Sequence, residues 1–269
     1  MRVLHASPHP DDELIGAPAT LMALRDSGGE VVNFACSLGR PADVPRRRME
    51  LREACHRARF TLVEARRLVP PMSSTPPAER DAIERRLADE LSETLDGGGF
   101  DLVLGPSPHD RHPGHEIVGR AVRGALESCA RPLPWWMWSL WGELPFPTVL
   151  VPFDDARLDE ILAALGAHAG EVSRNDYRDL VAGRGRAARV LGAELVFGFG
   201  SPGIGGRYAE MLCEAVPDGE RWLLGRARVL EPDAPFARPT RVALEWWLRA
   251  RSAADLLRAE GEAVGDAPG

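Results

Sequence analysis

The chain has 269 residues, 44% of them apolar, and carries a formal net charge of −7 with a pI near 5.6. This length is sufficient for one large domain with a well-buried core. The acidic balance argues against nucleic acid as a partner, because phosphate backbones bind basic surfaces. All 33 basic residues are arginine, which excludes mechanisms that need a catalytic lysine, such as Schiff-base formation.

The cysteines and the apolar runs indicate a cytoplasmic protein. None of the four cysteines pairs at CxxC spacing, so neither a zinc ribbon nor a redox motif is predicted. A first strand that begins at Arg2 leaves no room for a signal peptide. No apolar run approaches the roughly 20 residues that span a bilayer, so we expect no membrane partner.

In the first half of the chain, short apolar runs alternate with segments of helical period. The predicted strands are 3–7, 30–37, 62–69 and 101–105. The predicted helices are 12–25, 45–59, 76–95 and 113–127. This alternation predicts an α/β fold with a Rossmann-like, mostly parallel sheet and helices on both faces. Ligands bind such sheets beyond the carboxyl ends of the strands, where we expect the active site.

The second half is less regular but shows no change of composition that would mark a second domain. It is predicted to contain strands 148–153 and 221–230, helices 154–167, 173–191 and 241–258, and a glycine-rich loop at 197–208. We therefore expect a single domain over residues 1–258, with its Rossmann-like core at about 1–128 and an elaborated carboxyl-terminal part. Residues 259–269 have the composition of a flexible tail.

Two polar clusters follow the first and fourth predicted strands. His9, Asp11 and Asp12 come directly after the first strand, and His112 and His115 follow the fourth. Titratable groups packed this closely cost free energy unless a cation or a catalytic task holds them together. Imidazole and carboxylate are ligands for zinc, so two ligands from each turn, or two plus one, would satisfy an ion at this edge of the sheet.

The motif PHPDDE near the amino terminus, followed by HPxH after a strand, resembles the zinc-dependent N-acetylglucosaminyl deacetylases of the PIG-L/LmbE-like family. Members of that family remove acetyl groups from N-acetylglucosamine units in glycolipids, thiol cofactors and antibiotics. The resemblance covers roughly residues 1–128. It implies one zinc ion per chain, with His9, Asp12 and His115 as ligands and Asp11 as the general base. It also implies that His112 stabilises the oxyanion or supplies a proton.

One departure from the family pattern concerns His112. The family usually has His-Pro-Asp-His, and here Gly114 replaces the acidic residue that can orient the first histidine. Asp110 or Glu116 could substitute for it, and the sequence leaves the tautomer and the pKa of His112 open.

Other polar and aromatic residues suggest how a substrate is bound. Trp135 and Trp138 belong to a proline-rich segment, and their indoles could stack on a sugar ring at the rim of the pocket. The alternative for each is a place in the core or in an oligomer contact, so a homo-oligomer stays open. Arg40 and Asp43 follow the second strand and could hydrogen-bond sugar hydroxyls, or simply be solvated in a loop.

The sequence therefore predicts a zinc-dependent amidohydrolase that acts on an N-acetylated amino sugar, either in a small glycoside or in a glycopeptide or aminoglycoside antibiotic intermediate. One alternative is an amidase of a thiol-sugar conjugate. Another is a sugar-binding module that keeps the metal without turnover. A nucleotide-binding Rossmann protein is disfavoured, because the first strand ends in carboxylates rather than glycines.

Overall fold

The computed structural model describes residues 1–219 and 221–250. The strands are β1 (Arg2–Ser7), β2 (Glu30–Ala35), β3 (Thr61–Glu64), β4 (Leu102–Pro106), β5 (Trp135–Trp138), β6 (Val149–Phe153), β7 (Tyr208–Asp218), β8 (Arg221–Gly225), β9 (Arg228–Val229) and β10 (Pro239–Ala243). The helices are α1 (Asp12–Ile15), α2 (Pro18–Asp26), α3 (Val44–Ala58), α4 (Pro77–Gly98), α5 (Pro113–Ser128), α6 (Asp155–Leu165), α7 (Ala169–Arg174), α8 (Tyr177–Phe197) and α9 (Glu245–Arg249). Short 3₁₀ turns lie at Pro41–Asp43 and Met72–Ser74.

The main path through the sheet has the strand order β10-β8-β7-β5-β4-β1-β2-β3. The strands from β5 to β3 pair in parallel, whereas β7, β8 and β10 continue the sheet in antiparallel fashion. β6 and β9 lie off this path, with β6 antiparallel to β7. The predicted α/β fold is confirmed, with a largely parallel sheet that also contains antiparallel strands.

The sheet separates two apolar layers, and alternate residues of β1 show which layer each face meets. Val3 packs with α2, α3 and α6 on one face, and Leu4 packs with α4 and α5 on the other. Because both faces are covered, β1 is buried along almost its whole length. The carboxyl ends of β1 and β4 are adjacent, since the two strands pair in parallel. The turns that follow them therefore meet.

Several elements differ from the sequence prediction. The helix expected at 12–25 is interrupted at Gly16, because Pro18 has no backbone N–H to continue it and instead starts a new helix. The absence of a side chain at Gly16 leaves room for Trp138. The helix expected at 173–191 begins later, at Tyr177, and continues through three glycines to Phe197. β7 follows the glycine-rich loop and was not predicted.

The predicted helix at 241–258 overlaps the end of β10 and all of α9, and its remainder lies outside the described residues. The predicted tail at 259–269 also lies outside them, and the single-domain organisation stays a prediction. Across residues 1–219 and 221–250, the helices are too short or too polar to cross a lipid bilayer.

Candidate active site

The turn after β1 brings a carboxylate into an unusual backbone conformation. Asp11 has φ 116°, in the left-handed region that non-glycine residues rarely adopt. Its backbone N–H donates to Oε2 of Glu13 at 3.0 Å. Oε1 of Glu13 lies 2.6 Å from Nε2 of His168, and both side chains are fully buried. The buried pair of Glu13 and His168 therefore stabilises the backbone conformation of Asp11.

The turn after β4 is fixed through Asp110, which is fully buried. Its Oδ1 accepts hydrogen bonds from the backbone N–H groups of Leu140 at 2.5 Å and Trp141 at 3.0 Å, and from the Ser139 hydroxyl. Its Oδ2 lies 2.5 Å from Nδ1 of His115. This contact favours the tautomer with hydrogen on Nδ1, so that Nε2 of His115 offers its lone pair to the cavity.

Three imidazoles converge where the two turns meet. One ring nitrogen from each of His9, His112 and His115 lies within 4.8 Å of the others. The ring centroids of His112 and His115 are 4.6 Å apart, and those of His9 and His112 are 4.9 Å apart. The structure thus brings both predicted clusters to one place.

Asp12 lies between two of these rings. Its Oδ2 is 3.2 Å from Nδ1 of His9 and 3.4 Å from Nε2 of His115. Ligand atoms around a tetrahedral zinc ion are about 3.3 Å apart, because each lies about 2.0–2.1 Å from the metal. The spacing of His9, Asp12 and His115 therefore suits three ligands of one ion, and His112 lies next to them.

Charge at the site supports the fit to a cation. Burial alone would lower the pKa of His115, but the adjacent carboxylates of Asp12 and Asp110 raise it to about 10. Burial opposes ionisation of Asp12, yet His115 and His9 hold the pKa of its carboxyl well below the usual range. The carboxylates thus stabilise positive charge beside Nε2 of His115, and a divalent cation would satisfy them in place of a proton.

Asp11 has the opposite electrostatic character. Burial, followed by the neighbouring charge of Asp12, raises the pKa of the Asp11 carboxyl well above its usual value. Asp11 lines the same 310 Å³ cavity as the three imidazoles. A carboxylate with a raised proton affinity that faces a reaction cavity is suited to general base catalysis.

His112 is the least constrained of the three histidines. Burial and the neighbouring imidazoles of His115 and His9 lower its pKa to about 4. Its Nδ1 is buried without a hydrogen-bond partner among the described residues. Asp110 orients His115 instead, and Glu116 accepts from the backbone N–H of Arg111 at 3.1 Å. Among the described residues, the carboxylate of neither suggested substitute is hydrogen-bonded to the ring of His112.

The ring of His9 lies against Gly114 and leaves no room for a side chain at this position. A Cβ at this position would lie 2.8 Å from Nε2 and 2.9 Å from Cε1 of His9. The ring of His9 thus occupies the space that a side chain at position 114 would need.

The predicted substrate contacts divide into two groups. Arg40 and Asp43 line a 580 Å³ cavity that adjoins the histidines. Trp135 and Trp138 lie in β5 and are at most 1% exposed, which corrects their predicted place at the pocket rim. Both faces of β5 are covered, so its aromatic residues belong to the core, and Trp138 packs edge-on against His115. Trp141, beyond the end of β5, lines the cavity instead.

Several residues at the cavity were not predicted from the sequence. They are Arg47, Glu171, Arg174, Asn175 and Tyr177. Arg47 projects from α3, donates to the carbonyl of Pro10 at 3.1 Å and faces Glu171 of α7 at 3.4 Å. Charged residues on amphipathic helices usually face solvent, so the sequence carried no signal for this placement.

Comparison with known proteins links this geometry to a family. Residues 4–126 match the family model described as PIG-L: GlcNAc-PI de-N-acetylase, which confirms the resemblance predicted from the two motifs. No curated protein matches the chain.

Solved structures with the same fold include enzymes of more than one activity. The zinc inhibited form of teicoplanin deacetylase Orf2 has 17% identity and a TM-score of 0.61, over 81% of this chain and 100% of that chain. N,N'-diacetylchitobiose deacetylase from Pyrococcus horikoshii has 18% identity and a TM-score of 0.56, over 79% and 83%. GalB, the 4-carboxy-2-hydroxymuconate hydratase from Pseudomonas putida KT2440, has 17% identity and a TM-score of 0.59, over 81% and 97%. At these identities the matches establish the fold, and the reaction must be argued from the site.

Proposed function

We propose, from the match of residues 4–126 to the PIG-L family of de-N-acetylases, that this chain is a zinc-dependent hydrolase of amino sugars. It would remove the N-acetyl group from an N-acetylglucosamine-type sugar in a small glycoside or an antibiotic intermediate. The observation that carries the proposal is the meeting of His9, His112 and His115 at the mouths of two parallel strands. Asp12 lies between His9 and His115, and Asp11 lines the same cavity.

His9, Asp12 and His115 would hold the zinc ion, with the Asp110 carboxylate orienting His115 from behind. When bound, zinc polarises the acyl carbonyl and lowers the pKa of water to about 7. The other contributions come from side chains of the chain itself.

Asp11 would accept the proton of the attacking water. A positioned general base contributes about 10²–10⁴-fold to the rate. Glu13 accepts a hydrogen bond from the backbone N–H of Asp11. This contact fixes the main chain that carries the Asp11 carboxylate before substrate binds.

His112 would donate a hydrogen bond to the oxygen that becomes negative during the attack. With a pKa lowered to about 4, its imidazole is neutral near pH 7 and carries one N–H. The amide C–N bond then breaks, and Asp11 returns its proton to the leaving nitrogen. Acetate and a free amine are the products, so the reaction consumes only water.

The direct test is to purify the protein, measure its bound metal, and assay acetate release from N-acetylglucosamine glycosides. Replacing the proposed base (Asp11→Asn) should preserve metal content and reduce turnover by about 10²–10⁴-fold. His115→Ala should instead lose the metal. An exposed aspartate on α6 provides the matched control, since Asp159→Asn should change neither property.

Full activity in the Asp11→Asn variant would refute the assignment of the base. Release of an amine without acetate would favour the amidase of a thiol-sugar conjugate. Stoichiometric metal without any release of amine would favour a sugar-binding module.

A further inference from the structure

The larger cavity beside the histidines has five arginines in its lining. It has a volume of 580 Å³ and shares His9 and His112 with the smaller cavity. Its arginines are Arg40, Arg46, Arg47, Arg80 and Arg174. Among its described lining residues, Asp43 and Glu171 supply the carboxylates. Positive side chains thus outnumber negative ones, although the whole chain has a net charge of −7.

Three of the arginines share one carboxylate. Glu171 lies 2.9 Å from Arg174 and 3.4 Å from both Arg46 and Arg47. Arg46 also pairs with Glu50 at 2.7 Å, outside the lining. These contacts account for the positions of the three guanidinium groups, and they leave the cavity positively charged.

Arg40 and Arg80 are different, because neither forms an ion pair within residues 1–219 and 221–250. Arg80 donates from Nη2 to the backbone carbonyls of Met72 at 3.2 Å and Thr75 at 3.4 Å, and its Nε is buried without a hydrogen-bond partner. Arg40 lies exposed at the end of the loop after β2. The cavity therefore presents two guanidinium groups that have no carboxylate to neutralise them.

We propose that this cavity binds an anionic group, a carboxylate or a phosphate, on the part of the substrate beyond its N-acetylated sugar. Arg40 and Arg80 are its principal contacts, since a guanidinium fork matches the planar oxygens of such anions. The inference rests on the proposed function, because the cavity opens beside the histidines of that site. It favours an acidic glycoside over a polycationic aminoglycoside precursor, which five arginines would repel.

The test compares an anionic substrate with a neutral one in each of two pairs. One pair is the 4-carboxyphenyl and 4-carbamoylphenyl glycosides of N-acetylglucosamine, and the other is N-acetylglucosamine 1-phosphate and the neutral methyl glycoside. The anionic member of at least one pair should have a kcat/KM higher by about tenfold or more, the usual effect of a hydrogen bond between charged groups. Preference in the first pair identifies a carboxylate, and preference in the second identifies a phosphate.

Two variants of the cavity and one control test which residues cause the preference for the anionic substrate. Arg40→Gln and Arg80→Gln should each bring the ratio of anionic to neutral kcat/KM toward one. Arg67→Gln is the matched control, because Arg67 is exposed, lines a different cavity and should leave the ratio unchanged. Equal kcat/KM within both pairs would overturn the proposal. So would a ratio of anionic to neutral kcat/KM that is unchanged when Arg40→Gln and Arg80→Gln are combined.

A binding experiment separates this proposal from the proposed function. Calorimetry measures the affinity of the deacetylated 4-carboxyphenyl and 4-carbamoylphenyl glycosides, which need no turnover. Tighter binding of the carboxylate, weakened by salt and by the Arg40→Gln variant, supports the anion site even if acetate release is never observed. Acetate release without any charge preference in binding or rate would retain the hydrolase and reject the anion site.

Discussion

The two turns that build the site are held in place by different means. In the turn after β1, Glu13 accepts the backbone N–H of Asp11 and pairs with His168, so the support acts on the main chain. In the turn after β4, Asp110 accepts from main-chain amides and contacts the ring of His115, so the support acts on a side chain.

This difference follows from what each turn must position. A residue in a sparsely populated backbone region costs about 1–3 kcal/mol, so Asp11 needs a partner that fixes its peptide. An imidazole ligand needs a defined tautomer and ring orientation, and a buried carboxylate on its far nitrogen supplies both. Breaking each support should therefore damage a different property, namely catalysis for the first turn and metal affinity for the second.

Among the changes that test these supports, the largest effect is expected from Asp110→Asn. The amide can keep its carbonyl toward the Leu140 and Trp141 amides, but its NH₂ would then face Nδ1 of His115. That arrangement favours the wrong tautomer, with hydrogen on Nε2. Metal affinity should fall by about 10–100-fold, as measured by competition with a chelator.

Glu116→Gln is the matched control, because Glu116 lies near this turn and its side chain accepts from the backbone N–H of Arg111, not from a histidine ring. Its metal affinity should be that of the original protein. Equal losses in both variants would mean that the charge of the turn, and not the orientation of His115, determines metal binding.

A smaller effect, on catalysis, is expected from Glu13→Gln. Glu13 uses a different oxygen for each contact, so glutamine places its NH₂ at one of the two positions, and that contact must be lost or reversed. Reversal would put hydrogen on Nδ1 of His168, which is buried without a partner. We expect kcat to fall about tenfold, within the range that small misplacements cause, with KM nearly unchanged.

The double variant Glu13→Gln, His168→Gln tests whether the pair acts as a unit. If it does, the double variant should be no slower than the slower of the two single variants. A change confined to KM would instead show that Glu13 contacts substrate and does not position Asp11.

The first half of the fold was predictable because each apolar run there is short and each helix has a regular period. The meeting of the two polar turns was predictable because parallel strands carry their carboxyl ends to one edge of the sheet. The sequence offered Asp110 as a possible partner of His112. Its contact with His115 was not predictable, because backbone N–H groups from residues 140–142 hold the Asp110 carboxylate in place.

The tryptophans and the arginine-lined cavity were not predictable in the same way. A short strand covered on both faces has no alternation, so Trp135 and Trp138 looked like a loop rim instead of β5. The cavity combines arginines from the loop after β2 and from α3, α4 and α7, and only tertiary packing brings them together. The odd-numbered residues of β7 from Ala209 to Pro217 are all apolar, so the sequence contained a period of two that the prediction did not use.

The next effect by size is expected from Gly114→Ala, which tests the space shared by the two turns. The added Cβ would lie 2.8 Å from Nε2 of His9, so the ring must move. We expect a loss of about 1 kcal/mol in stability, at the low end for overpacking, and metal affinity lowered a few-fold. Chemical denaturation and chelator competition measure the two effects.

Gly183→Ala is the control for the same change of residue, because a Cβ at this position in α8 meets nothing within 4 Å. It should stabilise the protein by about 0.5–1 kcal/mol, the usual gain of alanine over glycine inside a helix. If Gly114→Ala lowered neither stability nor metal affinity, the ring of His9 would not be confined by position 114. Packing against His9 would then not explain the glycine.

The smallest effect concerns ion pairs away from both turns. Partial burial of Asp26 opposes ionisation, but Arg157 at 2.6 Å and Arg25 at 2.7 Å hold the pKa of its carboxyl below the usual range. Asp26→Asn should cost about 0.5–1 kcal/mol or less at pH 7, because the pairs are partly exposed and screened. A lowered folded-state pKa stabilises the protein above the unfolded-state pKa of about 4, and this contribution is lost as the pH falls through the folded-state value.

Urea denaturation of the two proteins at pH 7 and at pH 3 should therefore show a difference in stability that shrinks in acid. Asp218→Asn removes an exposed i,i+3 pair with Arg221 and should show a smaller difference at pH 7. Because neither aspartate contacts the two turns, metal affinity and kcat should be unchanged in both variants. A loss of activity in Asp26→Asn would mean that the site depends on the α2 and α6 layer, and not only on the supports within its own turns.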